Sequence, residues 1–140
     1  MPYVPISRAA VAFAALVIVV VTAALAYEEY DAEMRLWTHA AATTGGNPHR
    51  GEAMFIQYGC GSCHHIGYVR KATGLVGPPL DNIALRAMIA GKLSNTPGNV
   101  EQWIRDPQSV TPGTDMPNLN VSERDARDIT AFLYTRTSVK

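Results

Sequence analysis

Cys60-Gly61-Ser62-Cys63-His64 is the stretch on which this chain turns. Two thiols three residues apart, with an imidazole beside the second, fit three kinds of chemistry: a redox dithiol, half of a zinc site, or attachment of a c-type haem. A redox Cys-x-x-Cys belongs with a thioredoxin-like βαβ pattern, and a zinc site needs a second ligand pair. Neither companion is present, because the chain has 2 cysteines in all and both lie in this motif. The motif therefore reads as a haem attachment site. Cys60 and Cys63 form thioethers with the vinyl groups, and His64 reaches the iron from the same side. One covalently bound haem c is the expected cofactor.

On the N-terminal side, Ala9 to Ala26 is free of charge. At about 1.5 Å per residue it gives roughly 27 Å of helix, just enough to cross a bilayer. A cleaved signal peptide is the rival reading, since Ala24-Leu25-Ala26 has the small-x-small form of a cleavage site. Retention as a signal anchor is preferred, because the run exceeds a usual signal core and its continuation is helical. Tyr27, Tyr30, Met34, Trp37 and Ala41 recur every three or four residues on one face, between acids. One helix is thus predicted from about Ser7 to Ala42. Its outer part stands as a stalk whose stripe packs on the protein's own domain or on a partner's helices. Arg8 before the span and four acids after it place the N-terminus in the cytoplasm, so either reading exports the domain. The predicted organisation is a short cytoplasmic N-terminus (1–8), a transmembrane helix (9–26), a helical stalk (27–44), a Gly-Gly-Asn-Pro linker (45–48) and a haem domain (49–140). The location expected is a bacterial inner membrane, single-pass, with the domain on the periplasmic side.

Twelve Lys and Arg balance 12 Asp and Glu, leaving no net charge. That excludes a broadly basic nucleic-acid binder and a polyacidic tail. A domain of roughly 95 residues has a modest core and gains from a prosthetic group.

A six-coordinate haem takes its second axial ligand from a distant segment. Candidates are Met116, Met88, Met54, Met34, His39, His49 and His65. His65 is tied beside the proximal ligand and reads as a solvent-exposed neighbour. Met54 shares a short helix with the attachment site. Met34, His39 and His49 belong to stalk or linker. Met88 lies in Ala84 to Ala90, a helix-compatible apolar stretch where a methionine usually fills core volume. Met116 differs, because Pro112-Gly113-Thr114-Asp115-Met116-Pro117 is a turn-rich loop that can present a thioether inward. It is the preferred ligand once the resemblance below is added.

From about Pro48 to Thr137 the chain resembles a class I cytochrome c, an all-α fold of helices around one haem. The resemblance rests on Gly51 and Phe55, the haem motif, Gly77-Pro78-Pro79-Leu80, Trp103-Ile104-Arg105-Asp106-Pro107, the Met116 loop and a last helix. It implies that Pro78 accepts the His64 Nδ1 proton through its carbonyl, that Trp103 walls the haem near Met116, and that Thr114 bonds a propionate. It also implies that the last helix crosses the first, with Ile129 and Phe132 near Gly51 and Phe55. Without the family, Ser122 already reads as that helix's N-cap. More narrowly, Asn95-Thr96-Pro97, the Trp103 to Gln108 run and Met116-Pro117 are similar to the cytochrome c domain fused to subunit II of caa3-type oxidases. No cupredoxin domain or copper-site cysteine pair precedes them here, so a free-standing relative is expected. Thr111 stands where many relatives carry lysine, which weakens lysine-steered docking.

With both axial positions filled, chemistry at the iron is disfavoured, and no separate active site or small-molecule substrate is indicated. Three functions stay open. The first is a tethered single-electron carrier between a quinol-oxidising complex and a terminal oxidase. The second is a fixed subunit of an oxidase or another membrane oxidoreductase. The third, and weakest, is a haem enzyme or gas sensor.

Overall fold

The computed structural model describes residues 7–67 and 69–135. The start of the segment expected at 1–8 and the chain beyond Thr135 lie largely outside these residues. A single helix, α1, runs Arg8–Thr44 over 37 residues. Ser7 sets its start by accepting from the Ala10 N–H at 3.2 Å, and no proline or glycine interrupts it.

The chain divides into two compact units between Arg35 and Leu36. In the first, Phe13, Leu16, Ile18, Val19 and Leu25 are all exposed, so the helix is apolar all round, as a helix in lipid is. A window of it reaches a mean hydropathy of 2.8 with nothing buried, which makes it a candidate membrane anchor. Tyr27, Tyr30 and Met34 follow, also exposed. Asp31 and Arg35, one turn apart, pair at 2.7 Å.

The second unit begins inside α1, and not at the predicted linker. Ala40 is 1% exposed and Thr44 is buried. The Trp37 ring stacks on His49 with centroids 4.0 Å apart. His49 belongs to α2 (Pro48–Gln57). Gly45 stops α1 in the left-handed conformation at φ 71°, its N–H donating to the Ala41 carbonyl at 2.8 Å. Asn47 caps α2 by accepting from the Arg50 N–H at 3.0 Å, with Pro48 at the helix start. The Asn47 N–H donates to Asp128 Oδ1 at 2.7 Å, and Arg50 pairs with the same carboxylate. Residues that loosen a free chain are also those that helix ends require. Here Gly-Gly-Asn-Pro is a helix stop followed by a cap.

The core forms where α2 crosses α5 (Glu123–Tyr134). At Gly51 an added Cβ would overlap the Asp128 carbonyl oxygen and the Phe132 Cβ, so only glycine lets the two backbones approach. Beside it the rings of Phe55 and Phe132 meet with centroids 5.6 Å apart, tilted by 52°. These contacts match the predicted crossing. Helix α3 (Pro97–Arg105) packs on α5 as well, adding Val100 and Ile104 to the buried cluster.

At the start of α5 the Ser122 hydroxyl accepts from the Asp125 N–H at 3.1 Å and donates to Asp125 Oδ2 at 2.7 Å. The Tyr58 hydroxyl donates to that same oxygen at 2.9 Å. The Ser122 bond first, and the Tyr58 bond second, hold the Asp125 carboxyl below its ordinary value of 3.8. A depressed folded-state value means that the unfolded chain binds more protons, so this contribution is present above about pH 4 and lost as pH falls through the folded value. Asp125→Asn should therefore flatten the loss of stability as pH falls below about 4, read by thermal melts from neutral pH down into that acid range. An unchanged slope would remove Asp125 from the acid transition.

The Ala84 to Ala90 stretch forms no α-helix. A 3-10 turn at Ile83–Leu85 is followed by strand β1 (Met88–Ile89), which pairs antiparallel with β2 (Leu93–Ser94). Met88 is 45% exposed instead of filling core volume. The Asn95 amide explains the departure: it donates to the Ile83 and Arg86 carbonyls, each at 2.7 Å, satisfying acceptors that a helix would have used.

Candidate haem site

Beyond α2, Gly59 turns the chain into a single 3-10 turn at Cys60–Ser62. The N–H groups of Cys63 and His64 both donate to the Cys60 carbonyl, at 3.2 and 3.0 Å. Both thiols and the imidazole thus sit on one tight turn, separate from α2. Met54 is on α2 and packs against the core. Both cysteines are free. Burial pushes the Cys60 thiol up to about 11, opposite in direction to the depressed thiol of a redox dithiol.

The His64 ring is fixed from behind. Its Nδ1 lies 2.8 Å from the Pro78 carbonyl oxygen, so Nδ1–H donates there and Nε2 keeps its lone pair. Gly77 lies flat against the ring, where any Cβ would overlap it, and donates its N–H to the Cys63 carbonyl at 2.8 Å. The Arg86 guanidinium braces this segment, donating to the carbonyls of Pro79 and Asp81. Arg86 is held in turn by Asn95, whose Oδ1 accepts from the Tyr134 hydroxyl on α5 at 3.0 Å. His65 is half-buried, with Nδ1 3.3 Å from Asp81 Oδ2.

The Met116 loop follows α4 (Pro107–Val110). Thr114 and Met116 are half-buried, and Trp103 on α3 packs against the core cluster. Gln108 on α4 bonds the loop three times: Nε2 donates to the carbonyls of Thr114 at 2.9 Å and Met116 at 3.0 Å, and Oε1 accepts from the Gly113 N–H at 3.0 Å. Among the described residues, no hydrogen bond joins this loop directly to the His64 turn. Of the other ligand candidates, Met34 and His39 are exposed on α1, and His49 is spent on its stack with Trp37.

The donor set fits haem c. Two free thiols adjoin an imidazole whose Nε2 is available, and a thioether stands on a separately fixed loop. Beside that loop the Thr111 hydroxyl is buried with no hydrogen-bond partner among the described residues, an orphaned donor that a propionate oxygen would satisfy. Arg86 carried no signal in the sequence, and Asn95, Gln108 and Thr111 entered only through the family resemblance, with no hint of these contacts, since each acts on segments that only the fold brings near.

The cytochrome c family model matches residues 48–137, and the chain belongs to that family. It is similar to cytochrome c oxidase subunit 2 of Alkalihalophilus pseudofirmus, 35% identical over 116 residues, covering 79% of this chain and 32% of that protein. Subunit 2 of the Bacillus subtilis oxidase is 32% identical over 83 residues, covering 55% of this chain and 23% of that one. Cytochrome c2 of Rhodomicrobium vannielii is 28% identical over 119 residues, covering 72% of this chain and 87% of the relative. The chain spans about a third or less of the oxidase subunits it matches. No solved structure gives a significant match. The protein is a cytochrome c-type electron carrier related to oxidase subunit 2 sequences, and its family implies haem c.

Proposed function

We propose that the protein is a membrane-tethered monohaem c-type cytochrome that passes single electrons in a respiratory chain, to or within a haem-copper cytochrome c oxidase. Cys60 and Cys63 hold haem c through thioethers, His64 and Met116 are its axial ligands, Trp103 walls the pocket on the Met116 side, and Thr114 bonds a propionate. Haem c held in this way supplies a one-electron iron couple, and a His/Met pair sets it towards high potential. The observation that carries the reading is the 2.8 Å contact from His64 Nδ1 to the Pro78 carbonyl. That bond spends Nδ1, orients the ring and raises the basicity of Nε2, which is what an axial imidazole requires.

The apolar part of α1, with Arg8 before it and acids after it, supports an anchor with the haem domain on the outer face. Likeness to oxidase subunit 2 supports an oxidase as the acceptor. Zero net charge, with Leu75 and Val76 exposed beside Gly77 at 88% and 79%, supports docking through contact more than through charge steering. The Gly45–Pro48 segment belongs to the second unit itself, its backbone bonded to Ala41 and Asp128.

Two measurements test this. Haem should stay with the chain through acid-acetone extraction and be lost in Cys60→Ser/Cys63→Ser. Haem released wholly into the organic phase would overturn the attachment. The reduced holoprotein in its native membranes should be reoxidised in a cyanide-sensitive step, and the complex isolated in mild detergent should carry oxidase haem. Reoxidation indifferent to cyanide would exclude the oxidase.

A further inference from the structure

We propose that Gln108 is the positioning residue for Met116: its amide holds the Gly113 to Met116 turn closed on α4 and so keeps the thioether in place as an axial ligand. The inference rests on the reading of Met116 as that ligand and adds the group that makes it hold. Every side-chain hydrogen bond described for Gly113, Thr114 and Met116 comes from Gln108. Both amide hydrogens and the carbonyl oxygen are used, so the side chain has one orientation that satisfies the loop, and a flipped amide would set donor against donor. Among the described residues the loop has few further hydrogen bonds. Pro112 and Pro117 lack N–H groups, and its own closing bond is a single turn, Thr114 N–H to the Thr111 carbonyl at 3.1 Å.

Gln108 is itself well anchored. It follows Pro107, which is buried, and Asp106 caps the turn by accepting from the Ser109 N–H at 3.2 Å. The cap, the amide and the loop form one continuous brace from the end of α3 to Met116. A thioether is a weak ligand, so its occupancy of the iron depends on how rarely the loop opens. Removing three hydrogen bonds, each worth several-fold in an equilibrium, should raise the open population about tenfold or more.

The test uses purified ferric holoprotein in four forms: the unaltered chain, Gln108→Ala, Gln108→Glu and Met116→Ala. Imidazole is the probe, titrated against the Soret spectrum, and the reduction potential and the ferric iron-sulfur charge-transfer band are recorded alongside. Gln108→Ala should keep the band at neutral pH, bind imidazole about tenfold or more tightly, and show a lower potential. Gln108→Glu keeps the size of the side chain and loses both donors at neutral pH, so it should behave likewise; it carries the test if Gln108→Ala does not yield holoprotein. In a Met116→Ala background, Gln108→Ala should add nothing to imidazole affinity. A purely structural role would lower the melting temperature while leaving imidazole affinity and potential unchanged, and that result overturns the proposal. If Met116→Ala retains the band, the ligand assignment falls and this inference with it. If Met116→Ala loses the band while both Gln108 variants bind imidazole as the unaltered chain does, the ligand stands and only the role of Gln108 falls.

Discussion

Met116→Ala should abolish the ferric iron-sulfur charge-transfer band, open the iron to small ligands and lower the reduction potential by on the order of 0.2 V, a fraction of the ~0.8 V range that axial ligation spans. The expectation follows from the site's asymmetry. His64 is fixed by Pro78 and Gly77, whereas Met116, the proposed second ligand, stands on a loop whose described side-chain bonds come from Gln108. Losing the thioether would remove the proposed ligand that favours ferrous iron and leave His64 in place, so haem should remain attached while potential and ligand binding change. Met88→Ala is the matched control, since Met88 stands exposed on β1. A band that survives Met116→Ala and disappears in Met88→Ala would reassign the ligand.

Arg50→Ala should have the largest effect on stability that leaves the haem ligands untouched. Asp128 is 3% exposed on α5, and its carboxylate is compensated by the Arg50 guanidinium and the Asn47 N–H. Truncating Arg50 strands a buried charge with one hydrogen bond, at a cost of roughly 3 kcal/mol. For a domain of this size that lowers the melting temperature by more than about 10 °C. Adding Asp128→Asn should recover part of the loss, because a neutral amide still accepts from Asn47 without the penalty of an unpaired charge. A melting temperature within about 3 °C of the unaltered protein would show that water compensates Asp128 when Arg50 is gone.

The same carboxylate joins two regions that the sequence had kept apart. Asp128 holds the segment read as a linker through Asn47 and the crossing of α2 with α5 through Arg50. The end of α1 lies against this unit through Trp37, Ala40 and Thr44. In the aromatic stripe, Tyr27 and Tyr30 remain exposed, and the residues from Leu36 onward join the second unit. The stripe is therefore two features. Its outer turns serve the protein's own fold, and its exposed turns are the part available to lipid or a partner.

What the sequence determined by itself is the chemistry that is local in the chain. The proposed thioether attachment and proximal ligation need two thiols and an imidazole within five residues, and Cys60 to His64 supplies those groups whatever surrounds them. Helix signals are similarly short-ranged, which is why the extent of α1 and the Ser122 cap were legible before any fold was known, whereas the glycine at the α2–α5 crossing was expected only through the family resemblance. Tertiary structure alone decided how that chemistry is held. Apolar content made Ala84 to Ala90 look helical, but Asn95 claimed its carbonyls. Gly45 to Pro48 looked free until Asp128, 81 residues from Asn47, took its N–H. Gln108 is marked only as the end of a shared run and Arg86 not at all, until the chain folds their amide and guanidinium onto the loops of Met116 and Pro78. The physical reason is that a hydrogen bond to a bare carbonyl or N–H requires nothing distinctive of its partner's side chain, so it leaves no pattern in the sequence and exists only where the backbone has been brought within about 3 Å.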